Sequence, residues 1–313
     1  MITISNSEIQ TFKDCRRRWY VLYYLGKQPG VQPITGATNL GTKVHAALEG
    51  YYNPVIKLSP REAMHALNMM YALDMGVRPE ATEALEKERE LGAAMISGYF
   101  EWLEETGADQ YLKVLSVERE IVVPITEDVS LRGRLDMIVS DTHAGSKLFL
   151  DHKTCIQWLT TDYLDRDEQS KFYMMLQRLS KEDKDLWCDG GIFNMLRKVK
   201  RGPKAVPPFY KRETIRHNVD TLNSMYKRTY QTVTEIVDMR ADLDKGIDPQ
   251  QMVYPHPTRD CVWKCPLAAG LCGMMDDGSD WKGYLESEWV DVDPYARYTE
   301  SSYIDRLDQE GLL

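Results

Sequence analysis

Residues 131–155 read LRGRLDMIVSDTHAGSKLFLDHKTC. Two apolar runs, RLDMIVS and KLFLDHKT, flank DTHAGS, a stretch rich in turn-forming residues. The pattern predicts two strands joined by a tight turn. Each run carries a bare acid, Asp136 and Asp151, and Lys153 follows two residues after the second. Alternate side chains of a strand share a face, so Asp151 and Lys153 point the same way. Asp136 sits on the neighbouring strand, within reach of a shared site. Converging carboxylates repel, the more so in a low dielectric. A divalent cation between them removes the repulsion, and oxygen ligands with open positions suit Mg²⁺ or Mn²⁺. Such an ion acidifies bound water and polarises a phosphate, and Lys153 would orient the water or neutralise the phosphate. The alternative is a set of edge-strand charges facing solvent.

Outward from this stretch, the pattern changes period. VLSVEREIVVPI alternates and is β-branched, which predicts a strand before the pair and, with it, an antiparallel meander. Glu118 and Glu120 read as structural or solvated. DRDEQSKFYMMLQRLSKE predicts a helix; GGIFNMLRKV and FYKRETIRH predict two further strands around GPKAVPP. A long helix is expected over 218–244. Upstream, Ser5 and Glu8 have capping-box spacing and open a predicted helix through QTFKDCRRRWYVLYYL, with Ile9, Phe12, Arg16, Trp19 and Tyr23 on one face. GATNLGTKVHAALEGYY predicts a turn and a second helix, and 60–75 and 79–106 predict two more. No internal repeat or low-complexity linker interrupts them.

The 313 residues are 43% hydrophobic and 28% charged, enough for one elaborated domain or two small ones. No run approaches the roughly 20 apolar residues of a membrane span. The opening MITISNSEIQ lacks a signal-peptide pattern, so a cytoplasmic protein without membrane association is expected. The net charge of −9 excludes a global attraction to nucleic acid but leaves room for a local basic groove. Arg16, Arg17 and Arg18 form one basic run. Lys198, Lys200, Arg201, Lys204, Lys211 and Arg212 gather around the last predicted strand pair, with Phe209 and Tyr210 between them. That mixture suits single-stranded DNA, and a solvated hairpin suits it equally. From Asp276 onward there are 11 acids against 3 bases, a solvated tail, a docking or self-association segment, or an acidic strip.

Six cysteines in a cytoplasmic chain argue against disulfides. Cys261, Cys265 and Cys272 are spaced C-x3-C-x6-C, which points to a bound metal centre. Three thiolates leave such a site incomplete, and Cys15 is the candidate fourth. Cys155 and Cys188 read as buried reduced thiols. His65, His143, His152, His217 and His256 read as tolerated residues without a role.

GRLDMIV followed by LDHKT resembles the core of the PD-(D/E)XK nuclease superfamily in its RecB-like branch. GTKVHAALE resembles the branch's histidine-bearing helix, and QSKFY its Q-x-x-x-Y motif. SEIQTFKDCRRRWYVLYY and GGIFNMLRK extend the likeness over most of the chain to about residue 275. The resemblance implies an α/β, restriction-endonuclease-like core, a central mixed sheet flanked by helices, within a nuclease domain over 1–275. A helical insertion would occupy 55–110, residues 15 and 261–272 would form a cysteine-rich staple, and 276–313 an acidic tail. It implies that His45, Asp136 and Asp151 hold Mg²⁺ or Mn²⁺, that Lys153 assists the water, and that Gln169 and Tyr173 support the site. The cysteines resemble those of cluster-bearing RecB-like nucleases, AddB-type subunits and CRISPR-associated spacer-acquisition nucleases among them. This implies a [4Fe–4S] cluster on Cys15, Cys261, Cys265 and Cys272, with structural Zn²⁺ as the alternative. The implied activity is a DNA exonuclease acting on single strands or ends, in the recombination or replication of a phage or mobile element, and then in the host cytoplasm. A non-catalytic DNA-binding or assembly protein that kept the fold is the rival.

Overall fold

The computed structural model describes residues 2–182, 184–299 and 302–312. Glu300 of the acidic segment lies outside them. The chain forms two compact units: Met1–Gln32, Val122–Gly133 and Asn223–Glu300 in one, Pro33–Ile121, Arg134–Leu222 and Ser301–Leu313 in the other.

Eight strands are present among the described residues: β1 (Ile2–Ser5), β2 (Lys27–Pro29), β3 (Leu112–Pro124), β4 (Val129–Asp141), β5 (Ser146–Cys155), β6 (Gly190–Arg197), β7 (Tyr210–Ile215) and β8 (Trp289–Asp291). The main sheet runs β1-β4-β5-β6-β7, with β3 also paired to β4. β1 pairs parallel with β4, β4 antiparallel with β5, β5 parallel with β6, and β6 antiparallel with β7. The sheet is therefore mixed, as expected, and helices flank it.

In the larger unit the core explains the sequence. β6 is buried along nearly its whole length and β5 from Leu148 to His152, so GGIFNML and LFL do not alternate. At the pair Phe149↔Gly191 a side chain on the glycine would collide with the phenyl ring at 2.0 Å, so only glycine fits there. Helix Ala37–Tyr52 packs on β5 and on helices Pro60–Val77 and Thr82–Thr106. Its Ala46 and Ala47 are small enough to let it approach closely. Leu67, Met70, Met95 and Ile96 complete this core, each contributing about 1.5–3 kcal/mol on burial. Residues 303–309, within the acidic segment, form a helix whose Ile304 and Leu307 are buried in the same core.

The smaller unit departs from the periodicity in instructive ways. The predicted first helix is broken: Asn6–Asp14 ends at Cys15, which is extended, and a short helix and a π-turn follow over Arg16–Tyr24. Cys15 serves both pieces, its N–H donating to Thr11 O and its carbonyl accepting from Trp19 N–H. The apolar spacing continues through the break and so conceals it. The capping box is half formed. Ser5 Oγ accepts the Glu8 N–H, but the Glu8 carboxylate turns inward. There it accepts from Trp19 Nε1 at 2.8 Å, Arg240 Nη2 at 2.9 Å and the Tyr295 hydroxyl. Long-range partners outcompete the local cap. β1 and the β2–β8 ribbon have no legible alternation, since they are only four and three residues long. The cysteine stretch is a series of short helical turns rather than an open loop.

Candidate active site

All the predicted acid-site residues fall in the larger unit. The β4–β5 ladder runs from Asp141↔Ser146 to Met137↔Leu150, so Asp136 and Asp151 stand side by side where it ends. Asp136 Oδ2 accepts the backbone N–H of His152 at 2.9 Å and lies 3.5 Å from His45 Nδ1. His45 reaches it from helix Ala37–Tyr52. Asp151 is buried at 3% exposure, and burial first, then the charge of Asp136, pushes its carboxyl up to about 6 against the pull of Lys153. Lys153 Nζ lies 2.7 Å from Asp151 Oδ2. The two form a close ion pair. Burial works against the lysine's charge, yet Asp151, Asp136 and Asp167 together hold its pKa above the ordinary value.

Gln169 binds these groups to one another. Its Oε1 accepts from Lys153 Nζ at 2.7 Å, while its Nε2 donates to the Tyr173 hydroxyl at 2.7 Å and to Asp151 Oδ1 at 3.4 Å. Gln169 and Tyr173 share a face of helix Glu168–Leu179, one turn apart. The Q-x-x-x-Y pair thus reaches the acid and the lysine from one helix.

Two further acids line the same cleft. Glu49, one turn after His45, and Glu118, in the middle of β3, join His45, Asp136 and His152 around a space of about 10 Å³. That is room for roughly one water-sized sphere. Burial, then the charges of Asp136 and Glu49, pushes Glu118 up to about 8. Burial also raises Glu49 to about 7, against a hydrogen bond from Ser302. Glu118 is therefore not a freely solvated acid, and its pairing with Arg134 agrees with the structural side of that expectation. It lies inside β3 with Arg134 3.7 Å away, at a left-handed φ of 44° that departs from regular strand geometry. The i,i+4 spacing of His45 and Glu49 was a legible signal. Glu118 and Glu120 share a strand parity, and nothing local distinguishes them.

Among the described residues, no group of three or more His, Cys, Asp or Glu side chains stands ready at metal-holding spacing. The donor chemistry of the acid cleft nevertheless fits a hard divalent cation: two adjacent carboxylates, one of them buried, with an imidazole at their edge. A larger cavity of about 880 Å³ lies elsewhere, lined by Tyr51, Arg61, Phe100 and Glu104, and holds none of the predicted residues. The chemistry, not the volume, marks the site.

Cys15, Cys261, Cys265 and Cys272 fall in the smaller unit and carry free thiols. The charges of Cys15 and Cys261 both act on Cys265, whose pKa burial raises. The Thr258 N–H donates to Cys261 Sγ at 3.3 Å and lowers that thiol's pKa. Arg17 Nη1 lies 3.7 Å from Cys272 Sγ. Cys155 and Cys188 are buried, and burial pushes Cys188 up to about 11, as an inert thiol requires.

The basic residues are largely occupied. Arg17 is buried at 1% exposure and donates to both oxygens of Asp276 and to the carbonyls of Cys272 and Val253. Arg212 is largely enclosed and pairs with Asp109, 2.7 Å away. Neither presents its charge to a ligand in this structure. Arg16 pairs with Glu235, Arg18 with Asp14, Lys200 with Glu90, Arg201 with Glu101 at 2.7 Å, and Lys211 with Glu213. Lys198 Nζ donates to the Ala37 carbonyl. Lys204 lies in the β6–β7 connection. No helix among the described residues is long and apolar enough to cross a membrane.

A family model described as the PD-(D/E)XK nuclease superfamily matches residues 3–269. No curated protein matches the chain. Among solved structures, the chain is similar to a candidate exonuclease from Eubacterium rectale, at 10% identity and a TM-score of 0.45, covering 77% of this chain and 82% of that one. A second, the protein SSO0001, is 13% identical with a TM-score of 0.32, over 74% of this chain and 82% of that one.

Proposed function

The chain belongs to the PD-(D/E)XK nuclease superfamily, and from that premise we propose that it is a Mg²⁺- or Mn²⁺-dependent DNA exonuclease of the RecB-like branch. The observation that carries the reading is the convergence of Asp136, Asp151 and Lys153 where β4 and β5 part, with Gln169 bridging acid and lysine. His45, Asp136 and Asp151 would hold the ion, with Glu49 and Glu118 beside them. When bound, the ion supplies a more acidic water and positive charge for the phosphate oxygens. The protein's own groups do the rest. Lys153, kept protonated by its acidic neighbours, is a donor and not a base. It orients the attacking water and offsets the charge that builds on the phosphate. Gln169 fixes the lysine's position, and Tyr173 fixes Gln169. Asp151, ionised above about pH 6, balances the lysine.

The preference for ends and single strands, and a setting in recombination or replication of a phage or mobile element, rest on the RecB-like motifs. Arg16, Arg18, Lys198, Lys200, Arg201, Lys204 and Lys211 are the basic groups offered to the strand. Several would have to exchange an acidic partner for a phosphate, which predicts steep salt dependence.

Cys15, Cys261, Cys265 and Cys272 would hold a [4Fe–4S] cluster or, in the second reading, Zn²⁺. The shared electrostatics of Cys15, Cys261 and Cys265 support a common centre. The N–H groups of Thr258 and Arg17 near two sulphurs suit thiolates, which hydrogen-bond donors stabilise. Such a centre would tie residue 15 to residues 261–272 and take no part in hydrolysis.

The test is digestion of end-labelled single-stranded DNA by anaerobically purified protein with Mg²⁺, Mn²⁺ or EDTA. Ion-dependent degradation that is lost in Asp136→Ala supports the nuclease, and the product ladder gives the polarity. Folded, ion-binding protein that retains DNA but leaves it intact favours the non-catalytic rival.

A further inference from the structure

His152 stands between the two strand residues of the acid–lysine pair, yet projects to the opposite face of β5. On that face it is one end of a row that crosses three strands in register. His152 pairs with Asn194 on β6, and Asn194 with Arg212 on β7. The side chains follow the same line. Arg212 Nε donates to Asn194 Oδ1 at 3.0 Å, and Asn194 Nδ2 lies 2.8 Å from His152 Nδ1. Tyr99 closes the row, accepting from Asn194 Nδ2 at 3.0 Å and from Arg212 Nη2 at 2.9 Å. Asn194 is fully buried and His152 is 4% exposed.

The proton positions follow from donor arithmetic. A guanidinium only donates, so the atom of Asn194 facing Arg212 must be the oxygen. The amide NH₂ then faces His152, and Nδ1 of His152 must accept. The ring is accordingly neutral and carries its proton on Nε2.

His152 touches the candidate metal ligands twice. Its backbone N–H donates to Asp136 Oδ2, and its ring packs edge-on against His45, with centroids 5.8 Å apart at 72°. Tyr52 stacks on it, with centroids 5.7 Å apart at 26°. Asp109 braces the far end, accepting from the Tyr52 hydroxyl at 2.7 Å and pairing with Arg212.

We propose that the row Arg212–Asn194–His152 positions His45 and Asp136 for the cation, and that Asn194 sets it by presenting a donor to His152 Nδ1. The inference rests on the metal-dependent reading of the acid cleft and adds positioning residues to it. With its Nδ1 held by that donor, the ring backs His45 edge-on while its backbone N–H fixes Asp136. Groups that orient metal ligands from behind typically matter by about 10–100-fold in metal affinity or activity.

The decisive variant is Asn194→Asp, which keeps the shape and replaces the donor facing His152 with an acceptor. Two readouts are needed: ¹⁵N–¹H correlation of the imidazoles, with His152 assigned by its loss in His152→Phe, and Mn²⁺ binding by calorimetry alongside the Mn²⁺ dependence of DNA hydrolysis. The wild type is expected to show His152 protonated on Nε2 alone. In Asn194→Asp the donor to Nδ1 is lost and the ring is no longer held in that tautomer and orientation, so the Mn²⁺ concentration for half-saturation rises at least about tenfold, with kcat largely restored at saturating ion. Wild-type His152 protonated on Nδ1, or a folded Asn194→Asp with unchanged Mn²⁺ affinity, overturns the proposal. If Asn194→Asp does not fold, the wild-type tautomer and the Mn²⁺ affinity of Asn194→Ser, expected to fall about threefold or more, decide in its place. Wild type that binds Mn²⁺ with the expected tautomer but leaves DNA intact defeats the nuclease reading and not the positioning row; wild type that binds no Mn²⁺ defeats both.

Discussion

In the unit that carries the acid cleft, protein groups hold the reactive side chains from several sides. Lys153 is held by Asp151 and Gln169, Gln169 by Tyr173, and Asp136 by the backbone of His152. These residues project from strands and long helices, which fix direction to a fraction of an ångström. In the unit that carries the cysteines, Cys15 sits at a helix break, and Cys261 and Cys265 bracket a single turn. Their sulphurs share electrostatics and a few N–H donors, but short turns set their directions loosely. The first arrangement fixes each side chain through protein partners. The second suits a centre that the bound group itself completes, as structural metal sites do. The difference teaches that chemistry needs geometry in advance, while a staple can acquire it on binding.

The sharpest way to break the comparison is to remove a carboxylate. Asp151→Ala or Asp136→Ala should lower DNA hydrolysis on the order of 10³-fold, the scale of losing a pre-aimed charged group, with the thermal midpoint little changed. A variant that stays active in a gel assay would mean the cleft is not the site. Next in size is the cysteine centre. Cys261→Ser should abolish bound iron or zinc by elemental analysis and lower the thermal midpoint by about 5–10 °C, equivalent to a few kcal/mol. Mn²⁺ affinity at the acid cleft should remain. Loss of both functions together would show that the two regions are not separable.

The third prediction concerns pH. Asp151, Glu49 and Glu118 titrate at about 6, 7 and 8 in the folded chain, above ordinary carboxylates. The folded state therefore holds more protons than the unfolded one between about pH 4 and 8, and stability without divalent ions should fall as pH rises through that window. Glu118→Gln should flatten the slope in chemical denaturation series at pH 5 and 8. Added Mn²⁺ should reverse it, because the ion favours the ionised carboxylates and binds better at the higher pH. The smallest effect belongs to the surface. Lys200→Ala, which breaks an exposed pair with Glu90, should change stability by less than about 1 kcal/mol. A larger loss in urea titration would give the basic hairpin a structural role.

The legible parts were those written in local spacing. Asp136 and Asp151-x-Lys153 lie on alternating strands, and Gln169 and Tyr173 are one helical turn apart, so each pair's shared face follows from period alone. The helices from Ala37 to Thr106 and the four strands from β4 to β7 followed from the same periods. Other residues gave no local sign. Glu8 looked like half of a capping box and became a buried hub for Trp19, Arg240 and Tyr295. Arg17 and Arg212 looked like surface charge and became clamps on Asp276 and Asp109. Glu118 looked structural or solvated, with no sign of the cleft, and His152 looked like one tolerated histidine among several.

By itself, then, the sequence determined the mixed α/β class, the order of strands around the acid–lysine pair, and the family, because backbone period and motif spacing are properties of neighbouring residues. The tertiary structure alone decided which acids share a cleft, which cations are spent inside the protein, and that Arg212, Asn194 and His152 form one row. Those outcomes depend on burial and on partners 18 to 287 residues away, and no local pattern encodes the free energy of meeting them.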